Sequence, residues 1–310
     1  MRLKSLFGFT TGKAQGIDKP LLSTVEINQL IAMAGRLTKG QKFTSNQFTQ
    51  FGELASTVIG SGLDFADRRI YEAGDDPRFI DWKASARSQQ TLVKNYFSEV
   101  STPGCIVLDR RSSMIYGTRK RLKITQAIRV GVTLGVRILR DGNSLACLLL
   151  DSQNFWQPAQ KSLSLFRQTI EFAARACPLQ VEDVVNSSWS KIADTLKNHL
   201  PGGSRVLIIS DFFQFDDSDR KVLQQLSQQY ELSAVQIIDP SESNLPQLNN
   251  VSLHYGQKTK TGLKNTEENK RFNKNLQDNL TQLEDWFKNN NIHFVRINSD
   301  DELDVLRGNF

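Results

Sequence analysis

Two short runs, Cys105-Ile-Val-Leu-Asp109 and Arg205-Val-Leu-Ile-Ile-Ser-Asp211, decide how the rest of the chain is read. Each holds an unbroken apolar run of at least three residues and ends at a carboxylate. A strand without polar alternation is covered on both faces, which is the signature of a parallel sheet under two helical layers. Residues 145–150 form a third such run. Helical patterns fall at 120–140, 161–176, 189–199 and 218–230, a further strand at 232–238, a polar helix at 269–290 and a last strand at 292–297. This alternation predicts an α/β fold with a mostly parallel sheet and helices on both faces. In such sheets ligands bind beyond the carboxyl ends of the strands, where Asp109 and Asp211 are placed.

Within 120–140, Ile124, Ala127, Ile128, Gly131, Leu134, Gly135, Ile138 and Leu139 share one half of the helical wheel. The two glycines, four residues apart on that face, predict close helix–sheet packing. The same region concentrates charge. Residues 110, 111, 119, 120, 121, 123, 129, 137 and 140 are basic, and no acidic residue lies among them. Since the whole chain nets +6, the remainder is slightly acidic. The stretch reads either as a solvated helix face or as a docking surface for an acidic partner or nucleic acid.

The chain has 310 residues, 39% hydrophobic and 23% charged. That is enough for a large core and incompatible with wholesale disorder. No run approaches the roughly 20 apolar residues of a bilayer span. No apolar core of a secretory signal follows the basic start. The three cysteines, 105, 147 and 177, share no metal-ligand spacing. A reduced, cytoplasmic protein is expected.

Upstream, residues 1–22 are expected to be a flexible terminus. Ser23-Thr-Val-Glu26 fits a capping box ahead of Ile27, Leu30 and Ile31. Residues 39–66 read as irregular or β structure and 91–97 as a strand. Between them lies Arg68-Arg-Ile-Tyr-Glu-Ala-Gly-Asp-Asp-Pro-Arg-Phe-Ile-Asp-Trp-Lys-Ala-Ser-Ala-Arg87. Carboxylates alternate here with guanidinium groups able to pair bidentately, and Tyr71 and Trp82 are expected as aromatic anchors. The segment reads as a salt-bridged clamp between the N-terminal region and the sheet domain, with direct binding as the alternative.

This segment resembles the hallmark of the family called domain of unknown function fifty-eight. Arg69, Tyr71, Gly74, Asp75, Asp76, Arg78, Ile80, Asp81, Trp82, Ala86 and Arg87 match it. The resemblance extends through Ile238-Asp-Pro240 and Leu245-Pro246, from about residue 25 to 307. It implies a von Willebrand factor A-like (vWA-like, Rossmann-like) domain over 101–310 and a small N-terminal α+β extension over 23–100.

The vWA resemblance also implies a metal-ion-dependent adhesion site (MIDAS). Asp109 and Ser113 match its first part, Ser190 is the candidate for its later hydroxyl, and Asp211 fits its last carboxylate. Arg111 stands where the first serine belongs, and a guanidinium cannot ligate a cation. Mg²⁺ is therefore doubtful, and no other cofactor is expected. A functional metal site, a degenerate site that still binds a partner and a purely structural cluster all stay open, with Arg111 a candidate counter-ion between the two aspartates.

Relatives are linked with MoxR-type AAA+ ATPases, so the resemblance implies a non-catalytic adaptor or co-chaperone that presents a client or membrane complex to such an ATPase. Candidate partner-binding residues are Arg111, Ser112, Arg119, Lys120, Arg121 and Lys123. No phosphate loop or nucleophile elbow occurs, and His199, His254 and His293 are scattered. No catalytic residue is assigned. The alternatives are nucleic-acid binding through 110–140, which lacks interleaved aromatics, and a metal-dependent hydrolase.

Overall fold

The computed structural model describes residues 19–37, 59–88, 90–97, 102–151, 154–177, 188–243, 252–255, 258–261 and 266–308. The flexible start expected over 1–22 falls almost wholly outside these residues, as does most of 39–66. In chain order the elements are α1 (Thr24–Leu37), β1 (Ile59–Ile70), α2 (Trp82–Ser88), β2 (Leu92–Phe97), β3 (Gly104–Asp109), α3 (Lys123–Arg140), β4 (Leu145–Leu150), β5 (Phe155–Gln160), α4 (Leu163–Ala173), α5 (Trp189–His199), β6 (Arg205–Ser210), α6 (Asp217–Ser227), β7 (Glu231–Ile238), α7 (Pro240–Ser243), β8 (Ser252–Tyr255), β9 (Lys258–Thr261), α8 (Thr266–Asn289) and β10 (His293–Asn298).

Six strands form one sheet in the order β10-β7-β6-β3-β4-β5, parallel except for β5. The apolar runs are its centre: β3 and β4 are buried along their whole length and β6 after its first residue. Alternate residues serve opposite layers. Cys105, Val107, Ala146, Leu148, Val206 and Ile208 share one core with Trp189 and Ile192 of α5, Leu223 of α6 and Phe287 of α8. Ile106, Leu108 and Ile209 face α3 on the other side, where α1 and α4 also pack against α3. The sheet thus carries helices on both faces. Antiparallel β5 was not anticipated. Its residues are only half-buried or exposed, so it shows little apolar patterning, and Pro158 suits an edge.

The two α3 glycines serve different contacts. Gly131 lies over Ile209, Leu108 and Ile106, and a methyl group there would sit 3.6 Å from the nearest of them. At Gly135 it would overlap the Phe166 ring of α4. Gly135→Ala is therefore expected to destabilise by about 1–2 kcal/mol, overpacking outweighing the helix-propensity gain. Gly131→Ala should be neutral or stabilising by up to about 1 kcal/mol. Denaturant unfolding of both variants tests the pair of signs.

The chain divides into two compact units, residues 44–101 and the remainder. Sequence reading grouped 23–100 together. In the structure α1 packs on α3 and α4, and the Arg140 guanidinium donates to the Gly35 carbonyl. The expected capping box is present: Glu26 N–H donates to Ser23 Oγ, and Ser23 N–H to Glu26 Oε2.

In the smaller unit β1 and β2 pair antiparallel, and the hallmark folds beside them. Three ion pairs lie within it: Arg68–Asp81, Arg69–Asp75 and Arg78–Asp76. Asp75 also accepts the Glu72 N–H, Asp76 the Arg78 N–H, and Asp81 the Ala84 N–H at the start of α2. Gly74, at φ 116°, supplies the left-handed turn. Tyr71 is half-buried and Arg87 exposed. Trp82, expected as an anchor, is instead 70% exposed. Among the described residues no helix is long and apolar enough to cross a membrane.

Candidate functional site

Strand order reverses at β3, whose neighbours are β4 on one side and β6 on the other. The crevice beyond β3 and β6 is the ligand position of open parallel sheets. Asp109 ends β3 and Asp211 follows β6. Two other parallel strands end alike, with Asp151 directly after β4 and Asp239 after β7, while Ser299 follows β10.

Asp109 is fully buried. Its Oδ1 accepts the Arg111 backbone N–H and Nε–H, both at 2.9 Å; its Oδ2 accepts Arg111 Nη2 and Ser210 Oγ, both at 2.6 Å. Burial pushes the Asp109 carboxyl up, but the Arg111 charge and these hydrogen bonds outweigh it and hold the group below its usual range. The guanidinium also lies 5.4 Å from the Trp189 ring centre. That ring stacks on Phe212, which adopts φ 51° in the turn after Asp211. A positive φ at an aromatic residue is strained, and the stack helps to hold it.

Asp211 has a different cation. Lys123 Nζ donates to its Oδ2 at 2.9 Å and to Glu242 Oε1 at 2.7 Å. Ser113 Oγ and the Phe213 N–H complete Asp211 Oδ1. Arg111 therefore pairs with Asp109 and not midway between the two aspartates, while Lys123 neutralises Asp211. Lys123 is 2% exposed, so it is an internal counter-ion and not a docking residue. Burial raises the Glu242 carboxyl above its ordinary value, with Lys123 opposing.

Asp239 forms a third buried centre. It accepts the Thr118 N–H (2.8 Å) and hydroxyl, the Ser241 N–H (3.0 Å) and hydroxyl (2.6 Å), and Ser299 Oγ. Burial raises its carboxyl, and the Ser241 and Thr118 hydrogen bonds overcome that and lower it. Sequence reading missed this group, quoting Asp239 only within a resemblance. The signal was available, because Ile238-Asp239 repeats the apolar-run-then-carboxylate pattern of Asp109 and Asp211.

The basic stretch is largely consumed by the same edge. Arg110 pairs with Asp151 at 3.3 Å and caps the C-terminal carbonyls of α4 at Phe172 and Ala173. Arg121 donates to the carbonyls of Asp300 and Asp301 and pairs with Glu302, which Arg129 also approaches. Arg137 is buried. Ser112, Arg119 and Lys120 are exposed. Ser190 is not brought to the carboxylates: it is exposed on α5, with its hydroxyl 2.9 Å from Ser188 Oγ.

This donor set does not fit a divalent cation. Both carboxylates a metal would need are already engaged by cations of this chain, whose charge opposes a third. Among the described residues no other cluster of His, Cys, Asp and Glu is suited to hold a metal.

Acid should loosen the edge. Asp109 and Asp239 ionise more readily folded than unfolded, so below the unfolded value of about 3.9 the unfolded chain holds more protons. Their stabilisation is intact above about pH 5 and falls as pH drops through their folded values. Glu242 acts oppositely, since its folded form keeps its proton longer. Urea unfolding at stepped pH should show stability declining below about pH 4.5.

The sequence matches the family described as "Protein of unknown function DUF58" over residues 67–282. Uncharacterized proteins from Mycobacterium tuberculosis and Mycobacterium bovis are 23% identical over 202 residues, covering 65% of this chain and 63% of theirs. The chain thus spans under two thirds of these curated relatives. Among solved structures, a conserved hypothetical protein BatB from Bacteroides thetaiotaomicron aligns with TM-score 0.39 and 10% identity over 67% of this chain and 94% of that one. An aerotolerance-related membrane protein from Bacteroides fragilis aligns with TM-score 0.39 and 12% identity over 67% and 95%.

Proposed function

The chain belongs to the DUF58 family of proteins of unknown function, and on that footing we propose that it is a non-catalytic protein-binding module with a vWA-like sheet domain, working as an adaptor for a MoxR-type AAA+ ATPase in the cytoplasm. The observation that carries this reading is the state of the sheet edge. Its carboxylates are buried and matched by Arg111, Lys123 and hydroxyl donors. Asp109 and Asp239 are held ionised and serve poorly as acids or bases. What faces outward is a polar rim that includes Ser112 and Gln214. A pre-organised edge of this kind suits recognition. At least six of the nine basic residues in 110–140 bond groups of this chain, which leaves little charge for a nucleic-acid backbone.

The test is a pull-down from native extract with tagged full-length protein and ATP, read by mass spectrometry. Wild type should recover an AAA+ ATPase, and Ser112→Arg or Gln214→Arg, which add bulk at the exposed rim, should recover much less. A wild-type bait that recovers no ATPase overturns the adaptor reading. The rim is also expected to be indifferent to metal: millimolar Mg²⁺ or a chelator should move Tm by less than about 1 °C, since a ligand that does not bind the folded state cannot stabilise it.

A further inference from the structure

The loop between Tyr116 and Lys123 holds two exposed cations of the basic stretch that the sheet edge does not use. Arg119 and Lys120 are exposed. Among the described residues neither makes a hydrogen bond or an ion pair, although Lys120 adds to the field that lowers the Glu302 carboxyl. Their backbone is nevertheless tightly held. Thr118 is fastened to the buried Asp239 through both its N–H and its hydroxyl. The Lys123 N–H returns to the Tyr116 carbonyl at 2.7 Å, closing the loop. Gly117 packs so close to the Arg121 carbonyl that a Cβ there would collide with it. On the far side Arg121 is tied to Asp300, Asp301 and Glu302. The result is a fixed spur carrying two outward cations at the carboxyl end of the sheet.

We infer that this spur, Arg119 and Lys120 on a backbone clamped by Asp239, is a docking point for an acidic segment of a partner protein. The inference rests on the reading of this edge as protein-binding and narrows its charged contact to two residues. A guanidinium and an ammonium on one short rigid loop match carboxylate side chains, the guanidinium through its planar fork. The clamp means that little loop entropy is lost on binding. No aromatic residue stands on the spur to stack a base, so a nucleic acid fits it less well.

The probe is a fluorescein-labelled octaglutamate peptide, followed by anisotropy with the full chain at about 50 mM salt, where surface charge is weakly screened. Wild type is expected to bind, more weakly as salt rises. Arg119→Glu/Lys120→Glu should weaken binding by about tenfold or more. Thr118→Val keeps both charges and loosens the clamp; it should weaken binding by about threefold, the part owed to pre-organisation. Its melting temperature, measured alongside, separates this from unfolding. A wild-type protein that ignores the peptide overturns the inference, as does a charge-reversed variant that binds equally well. Tighter binding of a single-stranded oligonucleotide of equal charge, lost with the same two residues, also overturns it. If the ATPase is recovered equally well by Arg119→Glu/Lys120→Glu, the spur falls and the adaptor reading stands.

Discussion

Lys123→Met is expected to lower the unfolding free energy by about 3–5 kcal/mol, the usual consequence of removing one partner from a buried ionic cluster. The lysine bridges Asp211 at 2.9 Å and Glu242 at 2.7 Å. Methionine fills a similar volume, so the loss is electrostatic and leaves no cavity. Two carboxylates would then lie together without a cation. The system can relieve this by keeping a proton on Glu242, whose carboxyl burial already raises. A folded-state value above the unfolded one means that the folded variant holds more protons, so its stability rises as pH falls. The destabilisation measured by urea unfolding should therefore be smaller at pH 5 than at pH 8. Adding Glu242→Gln should recover part of it and remove that pH dependence. A deficit that is the same at both pH values would show that Lys123 acts by packing alone.

Arg111→Ala should destabilise by about 3 kcal/mol by uncovering the fully buried Asp109. Ser210 Oγ and the residue 111 N–H would remain as donors, and for that reason the loss sits at the lower end of the range. Arg111→Lys keeps the charge but not the fork, which spans both carboxylate oxygens. It should recover about half of the loss. Near-UV circular dichroism offers a second readout, because the guanidinium lies against Trp189. The alanine variant should change the tryptophan signal while the far-UV spectrum stays the same. Equal stability of alanine and lysine variants would contradict the bidentate account.

Both predictions concern residues whose types were visible in the sequence and whose roles were not. Arg111 was recognised as incompatible with a metal ligand because guanidinium chemistry is independent of fold. Its pairing with Asp109 follows from a two-residue separation at a strand end and was also within reach. Lys123 was counted with a surface charge run. It lies 88 residues from Asp211 and 119 from Glu242, so no local pattern joins them. Ser190 was assigned by motif order alone, and its helix presents it to solvent.

The elements were legible wherever burial imposed a period. The apolar runs of β3, β4 and β6 and the one-sided wheel of α3 are direct imprints of a covered sheet. So is the Ser23–Glu26 cap, which depends on a single turn of backbone and nothing more. Edge strand β5 and the β8–β9 hairpin left no such imprint. By itself, then, the sequence determined the α/β class, the positions of Asp109 and Asp211 at strand ends, and a hallmark rich in Arg–Asp pairs. Only the tertiary structure decided which cation meets which carboxylate, that the basic stretch turns mostly inward, and that Arg119 and Lys120 alone of the 116–123 loop's cations project freely. The physical reason is range: periodicity and capping are settled over a few residues, whereas the neutralisation of a buried charge is settled by whatever the folded chain brings within about 3 Å of it.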